Sequence, residues 1–240
     1  MPELSLRPCA PQPSPPRRPP RHRAAGFTLA ELAVVLVILG LLTGSMLVPL
    51  GARMEARDRQ HTLDALHDIE RALTGFAIIH GRLPCPSTEA DPASPHYGLE
   101  DAAPCSMSGE GRLPWRSLGL TAHDAWGHPR RDASDDWSGH WRYRVDAAFV
   151  TAPVGAHTAP ISNLQVRGND GGAITTLSDS QAVAVVFSTG QNRRADGHNA
   201  DYSASTPMYE AGEASADFDD LLIWIGRPLL IAHLAHAGRL

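Results

Sequence analysis

From Phe27 to Leu50 almost every residue is apolar, and this run constrains the chain more than any other feature. At about 1.5 Å per residue in a helix it is long enough to cross a hydrocarbon core of about 30 Å. One position breaks the pattern. Glu31 puts a carboxylate inside the run, where an acidic side chain costs roughly 2.5 to 3.5 kcal/mol on insertion scales, so a partner charge or a function is expected there.

Gly26, then Phe27-Thr28-Leu29-Ala30-Glu31, then an unbroken Leu/Val/Ile stretch resembles the N-terminal segment of type IV pilins and of the pseudopilins of type II secretion. The resemblance implies a cut after Gly26 by a prepilin peptidase and methylation of the new N-terminal Phe27. It gives Glu31 a role in assembly. Lying one helical turn from the new amine, its carboxylate is positioned to pair with the amine of a neighbouring subunit as the helices stack, offsetting the charge penalty. The other readings are a signal anchor or a secretory signal with an incidental glutamate. A secretory signal would have a shorter apolar core with its cleavage site after it. Arg17-Arg18 raises a twin-arginine signal, but prolines surround the pair and no suitable motif follows.

The fold implied is α+β and pilin-like: a long N-terminal helix, half membrane-spanning and half amphipathic, packed on a small antiparallel sheet. Four segments are expected: a leader over 1–26, a transmembrane and polymerisation helix over 27–50, an amphipathic helix over 51–81, and a periplasmic loop-rich and sheet domain over 82–240. The leader is rich in proline and arginine and cannot build a core. Its positive charge holds it in the cytoplasm, which makes the protein single-pass in the inner membrane with its C-terminal domain in the periplasm. Implied partners are the prepilin peptidase, other pilin or pseudopilin subunits and the inner-membrane assembly platform.

The chain of 240 residues carries 21 basic and 26 acidic residues. Five of the basic and one of the acidic residues precede the cut, so the mature chain stands at −9. Binding to nucleic acid is not expected from that balance, because neutralising phosphates needs clustered cations. Of three cysteines, Cys9 lies in the leader, leaving Cys85 and Cys105 outside the cytoplasm. A disulfide between them is the simplest reading, two free thiols the alternative. The bridge would stabilise by about 3 kcal/mol on the chain-entropy model.

Pro49 and Gly51 should loosen the helix without ending it. Charged residues then alternate with Leu63, Leu66, Ile69, Leu73, Phe76 and Ile79 at spacings of three to four, which makes an amphipathic helix that Gly81, Pro84 and Pro86 stop. Residues 82–136 read mostly as loops. Strands are expected over 140–146, 163–167, 181–188 and 221–225, with 173–177 a further candidate, and a final helix follows Pro228. Asp124-Ala125-Trp126-Gly127-His128-Pro129, followed by Trp141-Arg142-Tyr143, resembles the Asp-x-Trp-Gly-x-Pro-x-x-Tyr signature of major pseudopilins, with extra residues between Pro129 and Trp141.

The loop from Ser188 to Asp201 and the later Asp217-Phe218-Asp219-Asp220 gather oxygen donors around glycine turns. Ca²⁺ takes six to eight such oxygens. Major pseudopilins hold Ca²⁺ in the corresponding loop, and the resemblance carries the role to Asp196 and Asp219, and more loosely to Asn199, Asp201 and Asp217. A solvated acidic loop whose Asp and Asn cap turns is the alternative. No Gly-x-Ser-x-Gly, His-Glu-x-x-His or Cys-x-x-Cys occurs, so enzymatic activity is not expected. The function implied is a structural subunit of a type II secretion pseudopilus or type IV pilus. The alternatives are a minor pilin-like adhesin or DNA-uptake module at a fibre tip and a membrane-anchored periplasmic enzyme.

Overall fold

The computed structural model describes residues 26–103, 105, 109–135, 137, 139–151, 153–176, 180–200 and 207–240, with backbone only over 44–50. The chain divides into two compact units, Met1–Pro49 and Leu50–Leu240. The first helix, α1 (Leu29–His80), runs through the boundary.

In the first unit the helix is bare. Leu32, Val34, Val35, Leu36, Val37, Ile38 and Leu39 are all about half exposed or more, so there is no buried face. Thr43 donates its hydroxyl to Leu39 O at 2.7 Å, which hides a polar group inside the helix. Among the described residues no helix is long and apolar enough to cross a membrane, and the side chains of 44–50 lie outside that description.

In the second unit the same helix has one dry face. Leu66, Ile69, Leu73 and Ala77 are buried, Leu63 packs against them and Phe76 is nearly covered. Ile79, expected on that face, is 67% exposed because it points away at the last turn. Gly81 then takes φ +71°, a left-handed conformation that favours glycine, and its N–H closes on Ala77 O at 2.8 Å.

The main sheet has the order β1 (Gly111–Arg112), β2 (Arg142–Val145), β4 (Ala182–Ser188), β6 (Leu221–Gly226), all antiparallel. β4 is buried at every position. Ala184 and Val186 face the core that contains α1, whereas Ala182, Val185 and Phe187 face a second cluster. A register shift between Ala182 and Ala184 turns Val183 onto the α1 side as well. A strand covered on both faces needs a continuous apolar run, as Ala182–Phe187 supplies. The final helix α4 (Arg227–His236), with Pro228 in its first turn, buries Leu230 and Leu234 on the α1 side.

The second face is covered by a separate two-stranded sheet. β3 (Gln165–Gly168) pairs in parallel with β5 (Met208–Ala211), and Leu164, Val166 and Tyr209 pack on Phe187 and Val185. This corrects the expectation of one antiparallel sheet. Residues 173–176 are not a strand: Ile174 and Thr175 both donate their N–H to Val166 O, and Thr175 Oγ1 accepts from Val166 N at 2.9 Å. The segment folds as a turn against β3.

Residues 82–135 are mainly loops, with the short helix α2 (Trp115–Leu118) among them. Cys85 and Cys105 form a disulfide with Cα atoms 5.5 Å apart. Beside it Arg82 grips Glu100 with both guanidinium nitrogens, at 2.8 and 3.0 Å, and Glu100 also accepts from Cys85 N. Charge-assisted pairs of this kind are stronger than neutral hydrogen bonds. The loop is thus pinned by a covalent bond and an ion pair.

Candidate functional site

Two places gather the residues that the sequence singled out. The first is the start of α1. Thr28 precedes the first helical residue; its hydroxyl accepts from Glu31 N at 3.2 Å, while its own N–H donates to Glu31 Oε2 at 3.0 Å. The hydroxyl of Thr28 also reaches Glu31 Oε2. This is a capping box, in which residues three apart satisfy each other's free backbone N–H groups. The Thr-x-x-Glu spacing is its sequence signature, here overlaid on the charge that makes Glu31 stand out in an apolar run. Gly26 and Phe27 lie just outside the helix, Phe27 82% exposed. A carboxylate in the first turn is also favoured by the helix dipole.

The second place is the loop after β4. Gly190 has φ +60°, and a Cβ there would lie 2.5 Å from Asp219 Oδ1, so only glycine lets the loop close on β6. The closure brings Asp196, Asp219 and Asp220 together, with one oxygen from each within 4.8 Å of the others. Backbone hydrogen bonds lock the arrangement. Asp196 N donates to Asp220 Oδ2, Asp219 N donates to Asp196 Oδ2, and Asn192 N donates to Asp219 Oδ2, at 2.9 to 3.0 Å. Asp219 Oδ1 and Asp220 Oδ1 are buried and have no hydrogen-bond partner among the described residues. Burial, with the neighbouring carboxylates adding to it, pushes the Asp220 carboxyl up to about 7, and burial likewise raises Asp219.

Of the residues expected to bind a cation, Asp196 and Asp219 meet here. Asn199, in the one-turn helix α3 (Gly197–Ala200), is buried alongside, its amide donating to Asp220 Oδ2 at 2.9 Å and its oxygen accepting from Glu210 N at 2.8 Å, so it braces the cluster against β5. Asp217 sits on the exposed turn before β6 and is not part of the group. Asp201 lies outside the described residues. Asp220 was not among the expected ligands. It is the last residue before β6, where an acidic residue next to Leu221-Leu222-Ile223 looks like a strand flank.

The Asp-x-Trp-Gly signature buttresses this loop. Asp124 Oδ1 accepts from Trp126 N and Gly127 N, and its Oδ2 accepts from Ser188 Oγ at 2.5 Å. Ser188 Oγ in turn accepts from Gly190 N at 3.1 Å. Gly127 is required because a Cβ there would lie 2.6 Å from Gly139 O. The extra residues after Pro129 return the chain to Gly139 at this contact, and Tyr143 then donates its hydroxyl to Pro84 O at 3.0 Å.

A family model described as the prokaryotic N-terminal methylation motif matches residues 21–47. The chain is 38% identical over 68 residues to the type II secretion system core protein G of Pectobacterium carotovorum subsp. carotovorum, covering 28% of this chain and 42% of that protein. It is similar to the proteins of the same name from Klebsiella pneumoniae, at 38% over 63 residues, and Aeromonas hydrophila, at 34% over 64 residues; each match covers 45% of the relative and about a quarter of this chain. The chain therefore spans less than half the length of these curated relatives. No solved structure matches. Residues 21–47 thus carry the methylation motif, and about a quarter of the chain is similar to the type II secretion system core protein G relatives.

Proposed function

We propose that the chain is a structural subunit of a type II secretion pseudopilus, made as a membrane-inserted precursor, cut after Gly26 and methylated on Phe27. The observation that carries this reading is the bare apolar helix. Large side chains exposed on every side of residues 32–42 cannot stay in water, and they need lipid before assembly and other helices afterwards. The full apolar run from Phe27 to Leu50 supports a single membrane span. The similarity to core protein G favours a pseudopilus over a type IV pilus.

Within that reading Glu31 serves twice. Its Oε2 caps its own helix, and the carboxylate as a whole carries the charge that pairs with the N-terminal amine of the next subunit. The fold fits the same role: the second half of α1 lies on an antiparallel sheet, as in a pilin-like domain, and the loops form an outer surface. The prepilin peptidase, fellow subunits and the inner-membrane assembly platform are the partners, with the domain from 82 onward in the periplasm.

Ca²⁺ fits the loop after β4. Two buried carboxylate oxygens without partners, held beside a third carboxylate, are a donor set suited to a hard cation. Asp196, Asp219 and Asp220 would hold it, and the ion would neutralise three crowded acids and tie the loop to β6.

The assembly reading is tested by Glu31→Ala in cells that express the secretion machinery. The variant should insert and be processed yet be depleted from sheared pseudopilus fractions. Normal incorporation would remove the charge-pairing account.

A further inference from the structure

On the opposite flank of the same loop, a pocket of about 320 Å³ is lined by Arg112, Trp137, Arg142, Thr189, Arg193 and Arg194 with two alanines. Four guanidiniums converge there on a chain whose mature part is acidic, and no Asp or Glu lines the pocket among the described residues. Arg193 and Arg194 are neighbours in the chain, and like charges this close repel unless an anion joins them.

The pocket is built, not merely basic. Arg112 stacks on Trp137 at 4.8 Å, with Arg130 on the same indole at 4.0 Å. Arg142 lies over Phe187 at 4.9 Å and is anchored through Nη2 by Glu110, which also accepts from Tyr209. Stacking and anchoring fix two of the guanidiniums before any ligand arrives. Arg193 and Arg194 come from the exposed loop and meet no carboxylate among the described residues. Arg193 holds φ +59°, a costly conformation for a residue with a side chain.

Two polar groups in the wall lack partners among the described residues. Thr189 is 5% exposed and its Oγ1 makes no hydrogen bond there; Arg142 Nε is likewise buried without one. Buried donors are almost always satisfied, and a hydroxyl and an N–H beside planar guanidinium forks match the oxygens of a carboxylate or phosphate. We propose that this pocket binds an oxyanion, a carboxylate or phosphate group, with Thr189 and Arg142 as fixed donors and Arg193 and Arg194 as the closing pair. The oxyanion comes either from a free ion or from an acidic segment of another polypeptide. The pocket shares its loop with the carboxylate cluster but is lined by other residues, and it does not depend on pseudopilus assembly.

The test is isothermal titration calorimetry on the full chain in detergent micelles, with inorganic phosphate and a hexa-aspartate peptide as the two probes. At least one should bind at a single site. The double variant Arg193→Gln/Arg194→Gln, altered only on the exposed loop, should bind about tenfold more weakly or not at all, and the near-isosteric Thr189→Val about fivefold more weakly. Binding of phosphate identifies a free oxyanion as sufficient, and binding of the peptide alone identifies a polypeptide source. Failure of both probes, or unchanged affinity in the double variant while circular dichroism reports a native fold, would overturn the proposal.

Discussion

The two halves of α1 share one helix and obey opposite rules. Over residues 29–43 the apolar side chains are bare on all sides and one glutamate interrupts them; after the boundary at Pro49, Leu66, Ile69, Leu73 and Ala77 disappear into a core while charges face outward. The first half is completed only by something outside the chain. The second is completed by the chain itself. Substitutions in the first half should therefore move assembly and leave domain stability alone, and substitutions in the second should do the reverse.

The sharpest contrast is Leu73→Ala against Leu36→Ala. Leu73 is fully buried, and its truncation should cost about 3 to 4 kcal/mol, read as a lower denaturation midpoint. Leu36 is 62% exposed, so the same change should leave that midpoint within error while reducing the yield of assembled fibre. Equal effects of the two on unfolding would erase the distinction.

Next in size is the disulfide. Replacing Cys85 and Cys105 with serine should remove about 3 kcal/mol from the second unit without affecting membrane insertion. In the parent protein, intact mass under non-reducing conditions should be two hydrogens below the reduced value. A sample purified under oxidising conditions that retains two alkylatable thiols would contradict the bridge.

A smaller effect should appear against pH. The folded carboxyl of Asp220, raised to about 7, holds a proton that the unfolded chain loses near 3.8, so its contribution is fully present below about pH 4 and is lost as pH rises from there to about 7. His140 acts in the other direction. Burial lowers it to about 4, so the unfolded chain takes up a proton first and stability falls as pH drops below about 6.5. Without Ca²⁺ the melting temperature should therefore fall as pH rises from about 6.5 to 7.5, whereas between about pH 4 and 6.5 the two contributions oppose and largely cancel. Asp220→Asn should flatten the upper arm and abolish stabilisation by added Ca²⁺. An unchanged upper arm would show that the carboxyl is not raised.

The smallest effect concerns the cap. Glu31→Gln preserves a hydrogen-bonding side chain in the capping box, so helix content by circular dichroism should change by less than a cap's full worth of about 1 kcal/mol. Assembly should still fail, because the charge is gone. If Glu31→Gln assembles normally, the capping box is the whole function of Glu31.

Much of this was legible in the sequence because the signals are local. The apolar run, the three-to-four spacing from Leu63 onward, Pro228 at the start of α4 and the continuous Ala182–Phe187 strand each report their own environment. What stayed hidden depends on distant pairing. β5 is four residues long and gains its strand character from β3, some forty residues earlier, while β1 is only two residues. Asp220 joins Asp196 only because Gly190 lets the loop fold back, and Thr189 reveals an unsatisfied hydroxyl only once the arginines have converged around it. Composition around these positions reads as an ordinary polar loop.

The central claim is that the N-terminal segment enters the pilin pathway, and its most direct test is intact mass with N-terminal sequencing of the membrane-recovered protein, with and without a co-expressed prepilin peptidase. The account predicts a peptidase-dependent N-terminus at methylated Phe27. An uncut chain in the presence of active peptidase, or a cut beyond Leu50, would contradict it.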